Sequence, residues 1–179
     1  MTSAPESPAQ TDAHHAEVLG QSPRLPPLDR ASVADEVQRA TAHLRGGVTR
    51  NLDPVPLEAI PEIMFTMCRF PDLWQRIMDL SIQIQGQDSV LPMRERKLAI
   101  LRTGWLCQAP YEFGEHVNQA KRVGLTSEEI ERIVAGSSAS GWTASERAIL
   151  RAAEELHSGA MISDATWAEL SDFLTEHQL

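Results

Sequence analysis

From Ser32 to Leu174 the apolar residues recur three and four apart, and no stretch of useful length alternates apolar with polar. That periodicity restricts the chain to an all-α fold, a compact multi-helix bundle. The punctuation between periodic runs locates the helices. Ser32 with Asp35 three residues on predicts a capped start, followed by Val33, Val37, Ala40 and Leu44 on one face and closed by Gly46-Gly47. A second helix is predicted from Pro56 towards Cys68, with Ile60, Ile63, Met64 and Met67 as its stripe. Pro71, Pro92 and Pro110 each open a further helix, ending near Gly86, Leu106 and Gly124. Thr126/Glu129 and Thr143/Glu146 have the spacing of capping boxes, Gly136 and Gly159 stand where helix-terminating glycines belong, and a last helix is predicted from about Asp164 to Glu176.

With 179 residues the chain can bury roughly 70% of its unfolded surface, enough for a core without metal or disulfide support. Residues 1–29, rich in Pro, Ser and Ala and ending in Leu25-Pro26-Pro27, are predicted to be a disordered or loosely attached arm, leaving 30–179 as the helical domain. A net charge of −9 argues against nucleic acid and against an anionic membrane surface. No apolar run reaches the ~20 residues of a transmembrane helix. The N-terminus lacks the charged-then-apolar order of a secretory leader. Cys68 and Cys107 alone make no disulfide framework, so a reducing cytoplasm is the expected location.

Chemistry concentrates between Arg102 and His116. If Pro110 begins a helix, Glu112 and His116 are four apart on one face. A carboxylate there favours the imidazolium and orients the ring, a way to poise His116 for proton transfer. Cys107 precedes the turn as a nucleophile or redox thiol, and Tyr111 adds a hydroxyl donor. The same Glu/His spacing also occurs as a plain helix-surface contact worth ~0.2–0.5 kcal/mol. A lone Cys in an apolar stretch is equally at home as a small buried hydrophobe.

Arg94-Glu95-Arg96, the run Ile100 to Cys107 (with Arg102-Thr103-Gly104-Trp105), Tyr111 to His116 and Ala120 to Gly124 resemble the carboxymuconolactone decarboxylase-like superfamily, which includes the alkylhydroperoxidase D-like proteins. The similarity continues through Gly141-Trp142, Leu150 to His157 and Ile162 to Leu170, covering about Leu52 to the end. The resemblance implies an alkylhydroperoxidase D-like helical bundle that assembles into a homo-oligomer, a trimer or hexamer, with sites near subunit contacts. It implies a small-molecule substrate, a carboxylated or lactone-like compound, acted on without cofactor or metal by acid/base chemistry. His116 then corresponds to the motif histidine, with Glu112 and Cys107 beside it as catalytic residues and Tyr111, Arg102 and Trp105 as substrate-binding ones. The peroxidase branch uses a Cys-x-x-Cys-x-x-x-His motif with a supporting glutamate. Its two cysteine positions fall here on Ala109 and Glu112, and the glutamate on Lys97, so a peroxidase built on Cys107 alone would need an outside thiol. Relatives continue past the position of Leu179 with another apolar helix, which leaves a third expectation, a non-catalytic helical subunit.

Other signals are weaker. Glu154 and His157 form a single Glu-x-x-His, whereas a di-iron site needs two plus two further Glu. His14-His15 is at best a weak metal tract, and no zinc-ligand spacing occurs. Gly46-Gly47 lacks the strand, spacing and Lys of a phosphate loop. Arg94, Arg96, Lys97 and Arg102 read as a solvated face paired with Glu neighbours, with Arg102 as the candidate to hold a substrate carboxylate by a bidentate contact.

Overall fold

The computed structural model describes residues 13–14, 16–45, 56–86 and 89–179, with backbone alone for 40–45. Among these every regular element is helical, so the all-α expectation holds. The chain divides into two compact units, one of residues 22–90 and one whose main part is 91–179.

In the first unit, α1 (Ala34–Arg45) is preceded by a turn in which Asp29, rather than a Ser32/Asp35 box, does the capping. Asp29 accepts the Ser32 amide on its side chain and the Ser32 hydroxyl on its carbonyl. Gly46-Gly47 lie outside the described residues, as do the side chains of Ala40 and Leu44. The single helix predicted from Pro56 is instead a 3-10 turn, Leu57–Ala59, followed by α2 (Glu62–Met67). Pro61 is the cause: a proline drives its predecessor out of the helical region, and Ile60 is extended at φ −89°, ψ 129°. α3 (Pro71–Gln85) starts on its proline and stops at Gly86 as predicted. Val37, Ile60, Met64, Phe65, Trp74 and Met78 form this unit's core. Two arginines tie the incoming segment down. Arg69 donates to the Pro26 carbonyl at 2.7 Å, and Arg30 lies 4.5 Å over the Phe65 ring.

The second unit is organised around α4 (Met93–Leu106). Around it stand α5 (Pro110–Arg122), α6 (Ser127–Ala135) and α7 (Ala144–Gly159), and α8 (Asp164–Ser171) packs on α7. Leu98, Leu101, Ile133 and Leu150 are its fully buried centre. Both capping boxes are present, Thr126 with Glu129 and Thr143 with Glu146. The final helix is shorter than predicted and ends at Ser171. Gly159 is the last helical residue of α7, and the left-handed position falls on Ala160 at φ 53°.

The cations of α4 correct the solvated-face reading. Arg96, Lys97 and Arg102 are buried. Arg94, the more exposed one, bridges Glu129 and Glu146, the two capping-box carboxylates. Each of these gives its other oxygen to its own N-cap amide, so one guanidinium joins the starts of α6 and α7. Hydrogen bonding to Arg94 and to the caps holds both carboxyls below the usual range, against the opposing effect of burial. Arg102 donates to Glu154 of α7 at 2.9 Å and to the Ile133 and Val134 carbonyls ending α6. Glu154 is also bonded by the Ser137 amide.

Gly136 closes α6 at φ 95°, ψ −169°, a region left almost wholly to glycine. A Cβ there would lie 2.6 Å from both the Arg102 guanidinium and the Glu154 carboxylate, groups already fixed to each other. Gly124 has a similar φ of 94° but open space around it. Gly136→Ala is therefore expected to cost about 2 kcal/mol or more in urea unfolding, and Gly124→Ala only the backbone strain, about 1 kcal/mol.

Candidate functional site

α4 ends in a tight reversal. The Gln108 amide bonds the Trp105 carbonyl and the Ala109 amide reaches back to the Gly104 carbonyl, the paired bonds of a Schellman stop. The left-handed position, usually glycine, is Gln108 at φ 50°. Pro110 then starts α5 at once, because its fixed φ and missing N–H suit a first helical turn. The reversal lays α5 against α4, and Trp105 packs at a tilt of 59° against Phe113 across the joint with ring centroids 5.6 Å apart.

A cavity of about 410 Å³ opens along this joint. It is lined by Ile100, Thr103 and Gly104 of α4, Cys107 and Ala109 of the turn, and Glu112 of α5. The surface is largely apolar, with the Cys107 thiol, the Thr103 hydroxyl and the Glu112 carboxylate as its reactive groups. Cys107 is exposed. Glu112 is also solvent-accessible, whereas the His116 side chain retains only 12% of its accessibility.

Glu112 and His116 share a face as their spacing predicts, with Glu112 Oε2 3.8 Å from His116 Nε2. That is a close electrostatic contact but too long for a hydrogen bond. The other ring nitrogen, Nδ1, lies 3.1 Å from Lys97 Nζ. Lys97 in turn donates to Gln119 Oε1 at 2.6 Å. Burial and this contact together overturn the expected imidazolium. Burial first, and the Lys97 charge second, push His116 down to about 4, so the ring is neutral at pH 7. Lys97 is itself brought down to about 8 by burial and by the neighbouring charge of Arg96.

The remaining candidates are placed elsewhere. Arg102 is committed to Glu154 and the end of α6, and neither it, Trp105 nor Tyr111 is among the cavity-lining residues; His116 is not among them either and stands behind Glu112. Tyr111 is exposed and Trp105 packs on Phe113. Lys97, Gln119 and Thr103 are the additions. Gln119 follows His116 by three and shares its face, a signal present in the spacing. That Lys97 reaches the histidine depends on the crossing of two helices. Among the described residues no group of three or more His, Cys, Asp or Glu side chains is arranged to hold a metal. Nor is any helix among them long and apolar enough to cross a membrane.

Residues 68–155 match the carboxymuconolactone decarboxylase family. Among solved structures, a cysteine-to-alanine variant of the debrominase Bmp8 in complex with 2,3,4-tribromopyrrole is similar, with a TM-score of 0.67. The similarity covers 88% of this chain and 79% of that one at 18% identity, a shared fold. A comparison with curated proteins finds no match.

The two thiols differ in setting. Cys107 stands exposed on the cavity, while Cys68 is partly buried and its pKa is raised by that burial and by Glu36. In a limited iodoacetamide reaction followed by peptide mass mapping, Cys107 is expected to be alkylated well before Cys68.

Proposed function

We propose that this protein is a cofactor-independent enzyme that acts by acid/base chemistry on a small carboxylated or lactone-like molecule bound at the α4–α5 cavity. The observation that carries this reading is Glu112, which lines the cavity and stands 3.8 Å from the largely buried His116. The family match and the largely apolar cavity with few polar groups support it. In such a decarboxylation the bond to a carboxylate placed β to a carbonyl breaks and carbon dioxide leaves. The electron pair passes to the carbonyl oxygen as an enolate. Water then returns a proton to carbon, leaving hydroxide. The protein's task is to hold the carboxylate-bearing carbon in the apolar cavity and to meet the oxygen's growing charge with a donor. His116 is that donor, and the Glu112 carboxylate beside it acts on the ring through its charge rather than through a hydrogen bond.

The test is carbon dioxide release from a panel of small lactone and β-keto carboxylic acids. A positive substrate whose turnover falls ~10²–10⁴-fold in His116→Ala supports the assignment. No release from any panel member, or a loss within about twofold, sinks it.

A second reading is favoured by the exposed position of Cys107 on the same cavity. Here the thiol attacks peroxide, is oxidised to a sulfenic acid as the peroxide is reduced to water or alcohol, and is regenerated by an external thiol. The similar fold whose bound form is a cysteine-to-alanine variant belongs to a debrominase, which adds interest to this thiol. Peroxide treatment followed by mass spectrometry decides: a sulfenic acid on Cys107, reversed by added thiol, supports it, and an unmodified Cys107 rejects it.

A further inference from the structure

We propose that Lys97 is a positioning residue that fixes His116 as a neutral ring protonated on Nε2, making the site a hydrogen-bond donor for a carbonyl or lactone oxygen that becomes an oxyanion. The inference rests on the acid/base reading above and specifies which atom of the histidine serves it.

The argument is one of donors and acceptors. An ammonium group has three N–H donors and no lone pair to offer. Lys97 Nζ lies 3.1 Å from His116 Nδ1, so Nδ1 is the acceptor and carries no proton. Gln119 Oε1, 2.6 Å from the same Nζ, accepts a second N–H and fixes the direction of the ammonium. A neutral imidazole has one ring proton, which is then left on Nε2. That nitrogen faces Glu112, the residue that reaches the cavity, and at 3.8 Å the carboxylate does not take up its hydrogen bond. A substrate oxygen entering beside Glu112 is therefore offered an N–H backed by the charge of Lys97 on the far side of the ring.

The charged groups that act on the ring are Lys97 from α4 and Glu112 from its own helix, and Arg96 acts on Lys97. Burial and the Lys97 charge both disfavour the imidazolium, in agreement with the geometry.

Nitrogen-15 NMR of histidine-labelled protein reads this directly, without substrate. The wild-type His116 ring is expected to show a protonated Nε2 and an unprotonated Nδ1 at pH 7, with no charged form above about pH 5. A charged ring, or a proton on Nδ1, overturns the proposal. In Lys97→Glu the proton is expected to move to Nδ1 and the titration to rise by at least about one pH unit. Lys97→Arg, which keeps a pure donor, retains the wild-type tautomer. A Lys97→Glu protein that is folded by circular dichroism yet keeps Nε2 protonated, with an unmoved titration, also contradicts it. The wild-type spectrum decides by itself if the glutamate variant does not fold. Because these spectra are independent of turnover, a correct tautomer with an unaffected His116→Ala enzyme would instead reject the acid/base reading alone.

Discussion

The second unit depends on one constraint: its central helix carries cations into the core. α4 is covered by α5, α6 and α7, yet it brings Arg96, Lys97 and Arg102 below the surface and Arg94 to its edge. A buried charge without a partner costs several kcal/mol, so the surrounding helices must supply acceptors at fixed places. Glu154 and the α6 carbonyls do so for Arg102, while Glu129 and Glu146 hold Arg94 at the helix edge. Removing one partner leaves the other charge stranded, so these pairs fix which helices meet and in what register.

Lys97 is answered differently. Among the described residues no carboxylate meets it; it has the amide oxygen of Gln119 and the ring nitrogen of His116. The requirement to satisfy a buried ammonium therefore becomes a requirement on the histidine, and a structural constraint turns into a chemical one. The cysteine that first invites a redox reading stands on the same cavity with Glu112, so acid/base and thiol chemistry compete for one space. They differ in which neighbour matters, His116 or an external thiol.

Much of the fold was legible because its signals are local. Pro71, Pro110 and the two Thr/Glu boxes set helix starts through the residues beside them, and the structure has them where spacing put them. The failures are those of local rules meeting other geometry. Pro61 interrupts an otherwise continuous apolar stripe. Gln108 and Ala160 take left-handed positions that a glycine would have advertised. The basic run of α4 looked like surface because charge alone does not reveal the carboxylates waiting on helices 35 and 52 residues away. At the site, Glu112 and His116 were visible as an i,i+4 pair. The neutral state of the ring was not, since it comes from burial and from a lysine on another helix.

The central claim is that the fold holds His116 uncharged between Lys97 and Glu112. The most direct measurement is the pH dependence of unfolding free energy for wild type and His116→Gln. A histidine held at about 4 in the fold and near 6.5 when unfolded binds more protons in the unfolded state between those values. The stability it contributes is then present above pH 6.5 and lost as pH falls towards 4. The account predicts that the wild-type advantage over His116→Gln shrinks across that window and levels off below it. An advantage that stays constant, or grows as the pH falls, would contradict it.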